Sequence, residues 1–175
     1  MNMKYLPVIA IAGFAALLFA LFYERGPTIS KRYEIGPLAR SAWDYAGSRG
    51  PVLTAIHGNP FTVGDEDFHR AVLDELGRMP TVRVTRYTTD PAQAFQPKTR
   101  LVLVFDGPAS TDGNAVCAGS IPSPVPGDSL VMLMVLCSED RLLAEVGGRM
   151  QRVESPEDPL FRDLIGLSLR MLINA

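Results

Sequence analysis

Three features of this 175-residue chain predict an α+β fold. It reads as a mixed α/β sandwich in which two to three helices pack a four- to five-stranded, largely antiparallel sheet. Residues 65–79 repeat apolar side chains at three- and four-residue spacing, the period of an amphipathic helix. Residues 101–105 and 130–136 are continuously apolar yet too short for helices, which fits central strands covered on both faces. The order of elements is helix, strand, helix, four strands, helix, and that order favours a sheet with segregated helices.

The chain opens with Met-Asn-Met-Lys and an uncharged apolar run from Tyr5 to Tyr23, closed by Glu24 and Arg25. A spanning helix needs roughly 20 apolar residues, whereas the core of a secretory signal has about 7 to 15. The exit of the run is bulky, with Leu18 two positions before Ala20, so a small-x-small cleavage site is missing. Tyr5, Phe22 and Tyr23 bracket the run as interfacial aromatics do. Residues 1–23 are therefore expected to be an uncleaved transmembrane anchor, with membrane contact through residues 5–23. A cleaved signal peptide is the competing reading. Residues 24–36, polar and punctuated by Gly26, Pro27 and Gly36, read as a tether. Residues 37–175 remain as one domain, long enough to bury a real core.

Within that domain Pro37 suits the first turn of a helix over residues 38–48, with Leu38, Ala42, Trp43 and Tyr45 toward its buried side. Residues 51–57 read as a strand that turns at Gly58-Asn59-Pro60. The helix over 65–79 presents Phe68, Val72, Leu76 and Met79 on one face. It starts with Asp65, Glu66 and Asp67, which complement the helix dipole. Residues 81–88 alternate as a strand. Residues 138–141 make a hairpin turn into a strand over 142–153. A closing helix over 158–173 has only a narrow polar stripe of Arg162, Asp163, Gly166 and Arg170, so most of its surface is expected to be covered.

Between the two apolar strands lies a 23-residue segment, 106–128, holding Cys117 and the run Ile121-Pro122-Ser123-Pro124-Val125-Pro126-Gly127. Alternate prolines favour a stiff, extended course, and a loop this long in a small domain is usually functional or disordered. Ile121, Pro122, Pro124 and Pro126 are thus the candidate partner-binding positions. The chain's two cysteines, Cys117 and Cys137, are expected to pair in an oxidising compartment and pin this loop to the end of the next strand. Two buried free thiols are the alternative. A lipoprotein anchor is excluded, because no cysteine ends the apolar run.

Chemical motifs are few. His57-Gly58-Asn59-Pro60 resembles the oxyanion-loop segment of α/β-hydrolases, but the Gly-x-Ser-x-Gly elbow is absent and no histidine follows His69. Gly127-Asp128-Ser129-Leu130 matches an esterase signature, but it comes late in the chain and has no histidine behind it. No metal-ligand spacing is present, and no cofactor is expected. His57 and Asn59 remain a weak polar site, joined by Arg83, Arg86 and Arg100 if paired strands bring those three together as an anion patch. The net charge of −2, with interspersed signs, gives no basic field for nucleic acid.

The stretches Leu101-Val-Leu-Val-Phe-Asp, Ala115-Val-Cys117, Val135-Leu-Cys137-Ser-Glu-Asp-Arg-Leu-Leu-Ala-Glu-Val and Asp158-Pro-Leu-Phe-Arg-Asp-Leu-Ile resemble uncharacterised small envelope proteins of proteobacteria. The likeness is one of pattern over residues 50–173. It implies an exported domain with a strand hairpin and a closing helix, and it brings no catalytic residues with it. This chain departs from the lipidated members in lacking the anchor cysteine. The function expected is that of a non-enzymatic protein of the bacterial inner membrane, single-span, with its C-terminal domain in the periplasm. Its role would be to bind or scaffold an envelope or membrane-protein complex. An envelope hydrolase using His57 and a small-ligand or anion-binding domain are the alternatives.

Overall fold

Residues 26–34, 36–79 and 86–173 are described by a computed structural model. They form six strands and four helices: β1 (Thr28–Glu34), α1 (Gly36–Gly47), β2 (Val52–His57), α2 (Asp65–Arg78), β3 (Tyr87–Thr88), β4 (Thr99–Phe105), α3 (Gly113–Cys117), β5 (Ser129–Ser138), β6 (Arg141–Gln151) and α4 (Pro159–Ile173). The expected anchor and most of the strand expected over 81–88 lie outside the described residues. No helix among the described residues is long and apolar enough to cross a membrane.

One sheet, in the order β1-β6-β5-β4-β2-β3, holds all six strands. β1, β6, β5 and β4 pair antiparallel, whereas β4, β2 and β3 run parallel. The α+β class is as the sequence indicates, but the sheet is larger and more mixed than the four to five largely antiparallel strands expected. The added strand is β1, which falls inside the stretch read as a tether. Ile29 is its one apolar side chain packed on the core, and an edge strand carried by β6 needs little more than that. The parallel half arises because α2 is the crossover from β2 to β3, as parallel neighbours require.

The two faces of the sheet are covered unequally. On the first face α1, α2 and α4 build the main core. There Phe68, Val72 and Leu76 of α2 are fully buried, each contributing about 1.5–3 kcal/mol. Gly148 of β6 admits α4, since a Cβ there would stand 2.6 Å from Leu164 Cδ1. The second face carries a smaller core of Val102, Val104, Leu133, Val135, Leu142 and the two cysteines, capped by α3. Strands β4 and β5 are therefore buried on both sides, as their unbroken apolar runs predict.

Helix α1 buries Ala39, Trp43 and Ala46, while Leu38 and Tyr45 are 46 % and 55 % exposed. Its buried stripe is thus rotated from the one expected. Trp43 packs on Tyr87 and fixes the rotation, leaving Tyr45 to meet the Phe95 ring edge-on at 5.5 Å. In α4, Leu167 and Met171 are each 38 % exposed and Gly166 is buried, so its open stripe is wider in apolar character than expected.

Candidate functional site

In open sheets with parallel strands, ligand crevices form beyond the carboxyl ends of those strands. Here that end of β2 and β4 is filled by aromatic rings. Phe61 meets Phe161 edge-on at 5.0 Å, and Phe68 meets Phe105 at 5.1 Å. Gly58 lets the turn after β2 close over them. Its φ of +78° is one that side chains disfavour, and a Cβ would stand 2.6 Å from the Phe105 carbonyl oxygen.

His57 ends β2 beside this plug. Burial lowers its pKa from the ordinary 6.5, and the charge of the nearby His69 adds to the effect. Among the described residues, no hydrogen bond joins His57 to an acid. Asn59 is spent on the turn: its side chain accepts from Phe61 N at 3.1 Å and donates to the Val63 carbonyl at 2.8 Å and to Asp65 Oδ1 at 3.0 Å. Among the described residues, no three His, Cys, Asp or Glu side chains converge to hold a metal ion.

Arg86 and Arg100 are not neighbours across paired strands. Arg83 lies outside the described residues. Arg86 precedes β3, and β2 separates β3 from β4, which carries Arg100. Arg100 donates to the Cys117 carbonyl at 2.6 Å and to the Glu139 carbonyl at 2.9 Å. It is therefore a strut between the hairpin turn and the end of α3.

The most elaborate polar construction holds the 106–128 segment. Cys117 and Cys137 form a disulfide, which joins the end of α3 to β5. Asp106, only 4 % exposed and with a φ of +53°, turns the chain off β4. Its carboxylate accepts from Arg152 Nη2 at 2.9 Å through both oxygens, while Arg152 Nε donates to the Gly127 carbonyl at 2.8 Å. Both backbone groups of Asp106 are also used: its N–H donates to Val131 O at 2.8 Å and its carbonyl accepts from Val125 N at 2.6 Å. Ile121 packs against the second-face core and Pro122 is half-buried. Residues 123–128, including Pro124 and Pro126, are exposed, with Val125 at 62 %.

No protein family, curated protein or solved structure shows similarity to this chain. Asp106 and Arg152, 46 residues apart in sequence, carry no spacing signal, and the sequence pointed to neither. The one available hint was an acidic residue placed at the very end of an apolar strand, where Asp tolerates positive φ better than most residues.

Next to this loop the second sheet face is hollowed. A cavity of about 230 Å³ lies over β4, β5, β6 and β1, walled on one side by Gly107, Pro108 and Thr111.

Proposed function

We propose that this chain is a membrane-anchored periplasmic protein of non-enzymatic type that binds or scaffolds an envelope or membrane-protein complex, with the exposed residues 123–128 as its contact surface. One observation carries the reading. The loop is locked by the disulfide, by the Arg100 strut and by the Asp106–Arg152 pair, yet its crest is turned to solvent with an apolar residue, Val125, at 62 % exposure. A segment held in one conformation before it meets a partner loses little entropy on binding, which is how rigid loops gain affinity. The disulfide fits an oxidising compartment, and the apolar run over residues 5–23 supplies the anchor.

The test is photocrosslinking in cells from a reactive residue at position 125 of the full chain. A discrete crosslinked envelope protein, lost when Pro124 and Pro126 are both replaced by Gly, is the expected result. Recovery of the uncrosslinked chain alone under every condition overturns the proposal.

A further inference from the structure

The hollow beside the loop has a chemistry of its own. Its volume of about 230 Å³ holds about eight water-sized groups at ~30 Å³ each. The floor is apolar, made by Val104 of β4 and by Val131 and Leu133 of β5. The rim is polar and one-signed: it carries Thr28 and Ser30 of β1 and Arg149 of β6, with Thr28 and Arg149 opposite each other in the strand register. Arg149 Nη2 donates to Ser129 Oγ at 3.1 Å. No carboxylate among the described residues stands in ion-pairing range of it.

An apolar slot with an unneutralised guanidinium at its mouth complements a ligand of the opposite layout, a short apolar body bearing one anionic group. We propose that this hollow binds a monomeric medium-chain carboxylate, with an alkyl chain of about eight carbons on the Val104–Val131–Leu133 floor and the carboxylate against Arg149. The position of β1 favours such a ligand. Thr28 lies five residues past Tyr23, so an extended connection places the rim no more than about 18 Å from the end of the apolar run, close to where amphiphiles concentrate if that run is the anchor. The site does not depend on the partner-binding reading of the loop crest.

The experiment titrates the full chain, held in nanodiscs of zwitterionic lipid, with octanoate and separately with 1-octanol. Binding is followed by ligand-observed NMR against empty nanodiscs. Octanoate is expected to bind saturably and 1-octanol about tenfold more weakly, since the alcohol lacks the charge-assisted bond to Arg149. Arg149→Gln is expected to bring octanoate down to the octanol level, and Arg149→Lys to restore part of the difference. Ser30→Trp, on an exposed rim position, is expected to remove both ligands while the unfolding temperature holds. Should that variant fail to fold, the Arg149 series decides the matter alone. Equal affinity for octanoate and octanol, full binding by folded Ser30→Trp, or binding that appears only after anionic lipid is added overturns the site. Val125→Asp is expected to keep its octanoate binding, so failure of the loop surface and failure of the hollow are read separately.

Discussion

At the scale of single residues, Arg152 matters most. It meets the carboxylate of Asp106, whose side chain is 5 % exposed, while keeping 27 % of its own side chain in contact with solvent. Removing one partner of a buried pair strands the other charge, at about 3 kcal/mol or more. Arg152→Ala should therefore lower unfolding stability by about 3 kcal/mol in urea titration, and Asp106→Asn combined with Arg152→Ala should recover part of the loss because no unpaired charge remains. His57 makes a second prediction, in pH. Its folded pKa lies below 6.5, by burial first and by His69 second. The unfolded chain thus binds the proton more readily, and stability falls as pH drops through 6.5 toward the folded value, with no penalty above that window. Between about pH 7.5 and 5 the native chain should lose more stability than His57→Gln, and equal losses would show that burial does not disfavour the charged ring. Neither residue's setting is written locally: His57 was visible as a motif, but whether an acid stands beside it depends on what other segments bring near it.

At the scale of elements, period and propensity served well wherever one apolar pattern fixed one face. Helix α2, strands β2, β4, β5 and β6, and helix α4 sit within a few residues of their expected ranges. The same logic missed β1, because an edge strand needs only Ile29 inward and its polar remainder looks like a linker. It also misplaced the buried stripe of α1, whose rotation is set by a contact between Trp43 and Tyr87, 44 residues away. Short α3 was hidden inside the proline-rich segment. Its Asp112 side chain caps it by accepting from Asn114 N at 3.0 Å, a local signal that five helical residues are too few to announce. The disulfide that ends α3 closes a separation of 20 residues, which in the chain-entropy model contributes about 3 kcal/mol. Cys117→Ser with Cys137→Ser should lower stability by about that amount in urea titration, and the native chain should show no reactive thiol until it is reduced.

At the scale of the whole molecule, the asymmetry of the sheet sets what the surface offers. One face is committed to three helices, while the other is half covered by α3 and the locked loop, leaving the hollow and the loop crest open on the same side. The address is tested at this scale as well. A reporter that folds only outside the cytoplasm, fused after Ala175, should be active, and activity from a cytoplasm-only reporter would overturn the periplasmic reading. By itself the sequence determined the α+β class, the two doubly buried strands and the main amphipathic helix, and it made a bridge between its only two cysteines the expected one of two readings, which the structure bears out. Each of these rests on a short-range pattern or on a count. Only the tertiary structure decided the parallel half of the sheet, the edge strand β1, the Asp106–Arg152 clamp, the aromatic plug at the strand ends and the hollow beside Arg149. These depend on which distant segments share a neighbourhood, and local periodicity carries no information about such meetings.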